Sequence, residues 1–320
     1  MNSTSTTEDR IWAVISHLSS LAFGMGILLP IIGWSDQRRK SNYASFQSLQ
    51  ALGYQSLGFT IWILSYLVII IMTGIILLVI AGLDGGRGEN MNAALGTGAI
   101  IIFIVLFGFF ALYFLLPIIG AVACALGKDF RYPLIGNRLA YYLEYAPAQR
   151  LEEKVWLNED REVRWVAAMG HFSVLIILWG MLAPLTAWIL YGKRSDFLKF
   201  QSIQTLVFQA GTTILYFVAG VLYLFGFFSL IATIGTIGQT DFNSSMDIFG
   251  MVVFIVPLLI SLLIILFIPL LHILGQWAGY RVLKGEDYRY PLVGKLVERW
   301  IVNKIPLAED GGPSLKGKSS

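Results

Sequence analysis

Residues 127–136 read GKDFRYPLIG and residues 285–294 read GEDYRYPLVG, one ten-residue phrase written twice at an offset of 158. Internal self-similarity of this kind governs architecture before any local pattern does. Upstream, a shift of 154 aligns His17 with His171, Gly26 with Gly180, Pro30 with Pro184, Trp34 with Trp188 and Ser41 with Ser195. The same shift sets FQSLQAL (46–52) on FQSIQTL (200–206) and Gln55 on Gln209. The chain therefore divides into a first membrane repeat at 8–146, a cytoplasmic linker at 147–158, a second repeat at 159–305 and a disordered polar tail at 306–320.

The medium is set by composition. Of 320 residues, 56% are apolar and 13% charged, with a mean hydropathy of +0.70; a soluble domain carries about a quarter charged residues. The runs 58–83 and 97–126 contain no Asp, Glu, Lys or Arg, and either is long enough to cross the hydrocarbon core as a helix. The polar, slightly acidic start MNSTSTTEDR has no basic region of the kind that opens a cleavable signal. A single cysteine, Cys124, allows no internal disulfide.

Each repeat has the same order of parts. An apolar segment carrying one His is broken by Gly and Pro (11–34; 165–190), then a basic turn (QRRKS, 37–41; GKRS, 192–195) leads into a Gln-rich amphipathic stretch. Two long apolar runs follow, joined by DGGRGEN (84–90) or QTDFNSSMD (239–247). If all three apolar segments of each repeat crossed, the second repeat would be inverted and the 23 Lys and Arg would divide 10 to 13 between the sides. If the broken segment enters and returns as a hairpin, 22 share one side and Arg87 alone lies opposite. The hairpin obeys the cytoplasmic excess of basic residues far better. Gly24, Gly26 and Pro30, with Gly180 and Pro184, supply the means, since glycine loosens a helix and proline interrupts it. The fold class expected is an all-α integral membrane protein of two tandem helical repeats, each with two long spanning helices and a short hairpin. One kinked spanning helix in place of each hairpin is the alternative.

The repeated phrase predicts helix termination at Gly127 and Gly285, aromatic rings at headgroup level, and Arg131 or Arg289 pairing with Asp129 or Asp287 or with a lipid phosphate. Beyond each proline, as in LVGKLVERWI (292–301), an amphipathic helix should lie along the membrane surface. Asp129, Arg131, Tyr132, Asp287, Arg289 and Tyr290 thus form a candidate interface or partner motif, beside a purely structural role.

Inside the apolar segments, His17 and His171 are candidate interhelical hydrogen-bonding residues; no Cys, Asp or Glu accompanies them at metal-ligand spacing. Gln47, Gln50 and Gln55, matched by Gln201, Gln204 and Gln209, share one helical arc. Such a stripe is either glue between helices or the lining of a narrow polar path. No nucleophile motif, phosphate loop or paired carboxylates lie in a span, so no enzyme, cofactor or metal is expected.

The order of these motifs, strongest at FQSLQAL and RYPL, resembles the Tic-twenty-like family of small helical membrane proteins. That resemblance implies a four-helix unit with both ends inside, and bacterial members of unassigned function. The expectation is a non-catalytic scaffold or assembly partner in the bacterial plasma membrane, multi-pass, with both termini cytoplasmic, a link to protein insertion or translocation being its finer form. Its partners would be the lipid bilayer and other membrane proteins, with no nucleic acid and an oligomeric state that the sequence leaves open. The alternative is a channel or carrier for a small neutral solute between the repeats.

Overall fold

A computed structural model describes residues 5–83, 91–145, 156–237 and 245–302. The joining loops 84–90 and 238–244, most of the linker and the tail lie outside these. Among the described residues every regular element is helical.

The first broken segment is a hairpin. Helix α1 (Thr7–Leu18) opens with a capping box, Thr6 and Asp9 satisfying each other's backbone amides. A 3-10 segment (Ser19–Ile27) then reverses the chain into α2 (Leu28–Gln37). The two arms run antiparallel: Gln37 Nε2 donates to Glu8 Oε1 at 3.3 Å, and a Cβ built on Gly33 would lie 3.1 Å from Ser16 Oγ. At the turn the backbones touch, because a Cβ on Gly26 would lie 1.8 Å from the Ser19 carbonyl oxygen. Phe23 takes a positive φ of 56° there.

The second repeat repeats the device. Helix α6 (Glu159–Phe172) turns through a 3-10 segment and the short α7 (Ile177–Gly180) into α8 (Leu182–Tyr191). A Cβ on Gly180 would lie 2.0 Å from the Ser173 carbonyl, and Ile177, the register equivalent of Phe23, has φ 42°. Among the described residues six helical stretches are long and apolar enough to cross a membrane. Two of them, Thr7–Gln37 and Glu159–Gly180, begin or lie within these hairpins and return to the side they left.

The long helices are α3 (Asn42–Leu83) and α4 (Met91–Ala125) in one repeat, α9 (Asp196–Ile237) and α10 (Ser245–Leu283) in the other. With 42 residues, α3 is about 63 Å long, roughly twice the hydrocarbon thickness. Its first part is buried among the hairpins, whereas Leu64, Ile70 and Leu78 are more than half exposed, as a lipid-facing surface requires. In the second repeat α9 and α10 stay in contact far along their length: Ser261 Oγ donates to the Ala219 carbonyl at 2.9 Å, and Gly226 lies under Leu258. In the first, Gly74, Gly82, Gly98 and Gly108 meet no other atoms within 4 Å of a built Cβ.

Both phrases end their spanning helix in the same way. Gly127 (φ 71°) and Gly285 (φ 94°) take the left-handed position. Lys128 N–H donates to Ala123 O and Gly127 N–H to Cys124 O, and Glu286 and Gly285 repeat the pair with Arg281 and Val282. Each phrase then leads into a short surface helix, α5 (Gly136–Tyr142) or α11 (Val293–Val302).

The repeats point the same way. Residues from the basic-turn end of the first repeat and the opening helix of the second meet, with Ser45 Oγ donating to Glu162 Oε1 at 3.1 Å. Deeper in the seam, Thr60 of α3 donates to Gln276 of α10 at 3.0 Å.

Candidate functional site

The polar residues singled out in the sequence converge on one place in each repeat, where the hairpin and the long helix hold the closing phrase. Gln47 Nε2 donates to Asp129 Oδ1 at 3.0 Å and to the Phe130 carbonyl at 3.1 Å. Its Oε1 accepts from His17 Nε2 at 3.0 Å and from Gln50 Nε2 at 3.1 Å. Gln50 Nε2 also reaches Phe130 O, while its Oε1 accepts the Tyr132 amide at 3.0 Å. His17 Nδ1 accepts from the Tyr132 hydroxyl at 2.9 Å, a tautomer that follows from Nε2 donating to Gln47.

The second repeat has the same bonds. Gln201 Nε2 donates to Asp287 Oδ1 at 2.8 Å and Tyr288 O at 3.0 Å; Gln204 bridges Gln201, Tyr288 O and the Tyr290 amide. His171 joins Gln201 to the Tyr290 hydroxyl at 3.0 and 2.9 Å. Thr205 stands where the first repeat has Ala51 and adds a contact of its hydroxyl to His171 at 2.9 Å.

The remaining pair holds the hairpin turn. Gln55 Nε2 donates to Ser19 Oγ at 2.9 Å, and Gln209 Nε2 to the Gly170 carbonyl at 2.8 Å. All six glutamines are buried. They bind hairpin or phrase within their own repeat and do not face one another across the seam.

Tyr132 and Tyr290 are enclosed by protein: each is 2% exposed. Tyr132 stacks on Tyr54 at 4.1 Å and Tyr290 on Phe208 at 4.1 Å, with each hydroxyl spent on a histidine. The partners available inside, a ring face and an imidazole nitrogen, satisfy both parts of the side chain better than a half-wet interface. The charged residues of the phrase do stay at the surface. Arg131 pairs with Asp129 at 3.2 Å and Arg289 with Asp287 at 3.3 Å. Arg131 also donates to Asn137 and Arg289 to Glu298, tying phrase to surface helix. Partial burial raises the Asp129 pKa above its ordinary value, against the opposing pull of Arg131.

A second polar centre escaped the sequence reading. Arg38, 4% exposed, pairs with Glu162, 1% exposed, at 3.1 Å and with Glu159 at 3.1 Å across the seam between repeats. Its guanidinium lies 4.3 Å from the Tyr191 ring centroid and 5.2 Å from that of Trp34. Beside it, Trp165 Nε1 donates to the Leu49 carbonyl, with its ring over Gly53, where a Cβ would lie 2.4 Å from Cζ2. The signal was present as a mismatch: the 154 offset sets Gly192 at the place of Arg38. A residue that breaks a repeat marks where the copies differ in environment.

A groove of about 1020 Å³ opens between the repeats, bordered by α3, α5 and the facing ends of α6 and α10. Among the described residues no group of three or more His, Cys, Asp or Glu is placed to hold a metal.

The sequence profile of the MamF/MmsF family, the magnetosome magnetite crystal formation protein family, matches this chain twice, over residues 8–139 and 162–297. The chain belongs to that family and carries its unit in tandem. No curated protein and no solved structure matches. The match overturns the resemblance to the Tic-twenty-like family. FQSLQAL and RYPL, the motifs that carried it, are here the two sides of the hydrogen-bonded clasp that closes each repeat. They report a requirement of the fold and identify no process.

Proposed function

From this membership, we propose that the chain is a non-catalytic scaffold of the magnetosome membrane that acts in magnetite crystal formation. The observation that carries this reading is the Arg38–Glu162 junction, which locks two family units side by side in one orientation. Both pairs of long helices then run from the basic turns toward one membrane face. A fixed pair of like-oriented units suits a part that organises neighbours within a membrane.

The carrier reading finds no support in this geometry, since the amides that would line its path donate to the clasp and the hairpin turn within each repeat. The link to protein insertion or translocation finds no support in the family match. On charge distribution, both termini face the cytoplasm.

Deletion of the gene in a magnetite-forming bacterium, with crystal dimensions measured by electron microscopy, tests the proposal. Crystals should be smaller or fewer, restored by the full chain and not by either repeat alone. Normal crystals in the deletion strain would refute a role in their formation. Full rescue by one repeat would refute the pairing argument.

A further inference from the structure

The groove between the repeats is unevenly charged. Arg138, Arg161, Arg164 and Lys284 line it, against the single carboxylate of Asp160. Arg161 is committed, paired with Glu144 at 3.1 Å and donating to the Tyr142 carbonyl at 2.8 Å. Arg164 lies over the Phe197 ring at 4.7 Å, yet its Nη1 is buried without a hydrogen-bond partner, as is the hydroxyl of Tyr142. Buried donors beside surplus cations call for an anion. Toward the bilayer the same groove turns apolar along Leu57, Ile61 and Leu134, and just below it Leu64 of α3 is 56% exposed.

A free phosphate would satisfy only the upper end. We infer that the groove is a binding site for an anionic phospholipid, its phosphate on Arg138, Arg164 and Lys284 and an acyl chain along Leu57 and Ile61. This rests on the groove alone and holds whatever the chain does in crystal formation.

The test is retention of lipid by the full chain, reconstituted in mixed phosphatidylcholine and phosphatidylglycerol vesicles, extracted in mild detergent and weighed by native mass spectrometry. Phosphatidylglycerol should be retained in preference to phosphatidylcholine. The Arg138→Gln/Lys284→Gln variant, altered at the groove mouth, should lose retention on the order of twentyfold, about fivefold per basic residue. The Lys193→Gln/Arg194→Gln variant, in the basic turn, should retain it. Equal retention of both lipids, or equal loss in both variants, would overturn the site. Displacement of the lipid by millimolar inorganic phosphate would show a free-anion site instead and also overturn the inference.

A second inference rests on the inequality of the repeats. Trp165 and Met169 of α6 are 7% and 0% exposed in the seam with α3. Their register equivalents on α1, Ile11 and Ile15, are 52% and 37% exposed. The receiving positions Gly53 and Thr60 on α3 correspond to Val207 and Ile214 on α9, which are 37% and 61% exposed. Glu8 stands where Glu162 does, and Lys199 stands where its partner Ser45 does. The Trp-on-Gly contact becomes Ile against Val, of similar combined bulk, and a hydroxyl–carboxylate bond becomes an opposite-charge pair.

The seam is thus heterologous, and its two complementary halves recur uncovered on the two repeats, Glu8 engaged there only with Gln37 of its own hairpin at 3.3 Å. The geometry points to head-to-tail association with a second copy of this chain, α1 on α9, with Glu8 against Lys199. On a Cys124→Ser background, Ile11→Cys and Val207→Cys chains oxidised together in native membranes should form mixed dimers, and the double variant a ladder. Glu8→Lys should weaken the cross-link and Lys199→Glu restore it. Either single variant pairing with itself, or no mixed dimer from chains whose cysteines react with maleimide, would overturn this arrangement.

Discussion

Arg38 and Glu162 lie 124 positions apart and meet at 3.1 Å in the seam between the repeats, both almost wholly buried. Glu162 also accepts from Ser45, and Arg38 stacks on Tyr191, so each charge has several partners. Breaking such a pair from one side leaves the other charge buried and uncompensated. Arg38→Met or Glu162→Leu alone should therefore lower stability by about 3–5 kcal/mol. The double change should cost clearly less than the two singles together, because no orphan charge remains. Unfolding of the purified chain in detergent measures all three.

The clasp gives a matched pair of predictions. Gln50→Leu removes the acceptor of the Tyr132 amide and a donor to Phe130 O; Gln204→Leu does the same for Tyr290 and Tyr288 O. Phe130 O and Tyr288 O keep Gln47 and Gln201 as donors, so the loss is the orphaned tyrosine amide, roughly 1–3 kcal/mol. Limited proteolysis should then cut at the RYPL phrase of the altered repeat and leave the other phrase protected. Cleavage at both phrases would mean that the repeats do not close independently.

At the hairpin turns, Gly26→Ala and Gly180→Ala should each disrupt the fold, since a Cβ would lie 1.8 and 2.0 Å from a backbone carbonyl oxygen. Gly74→Ala, on the lipid-facing part of α3, meets nothing within 4 Å. It should be tolerated or add about 0.4–1 kcal/mol by restricting the unfolded chain. Expression yield and thermal unfolding of the three variants give the comparison.

For pH, the sign follows from Asp129. Its folded pKa is raised by burial, so the folded state holds the proton more tightly than the unfolded chain does. The resulting stabilisation is present below the unfolded value of 3.8 and is lost as pH rises through the folded value. Asp129→Asn keeps the oxygen that accepts from Gln47 and has no proton to lose. Melting temperatures between pH 3 and 7 should show the variant gaining on the parent as pH rises.

Topology can be read from equivalent positions. Lys40→Cys and Arg194→Cys, each on a Cys124→Ser background, should label from the same membrane side with an impermeant maleimide. Labelling from opposite sides would make the repeats inverted and contradict the seam.

The tandem repeat, the spanning runs, the helix-ending glycines and the surface helices α5 and α11 were all legible in the residues. Each depends on a local period or on the backbone preference of one residue type. The hairpins were also legible, because Gly and Pro at fixed spacing and the one-sided Lys and Arg say where an apolar segment must turn. What the six glutamines do was not legible. An amide on a helix arc can bind another helix, water or a carbonyl, and only the docked RYPL phrase shows which. The burial of Tyr132 and Tyr290 was not legible for the same reason, since a tyrosine suits an exposed interface as well as a core that offers its hydroxyl an acceptor.

By itself, then, the sequence determined an all-helical membrane chain of two like units and the places where each unit turns or stops. The tertiary structure alone decided that His17, Gln47 and Tyr132 form one clasp, and that α6 rather than α1 covers a neighbouring α3. The physical reason is distance along the chain. Turns and helix ends are set by neighbours within a few residues, whereas buried polar partners such as Arg38 and Glu162 are chosen by long-range packing, which fixes the environments that make two equal repeats unequal.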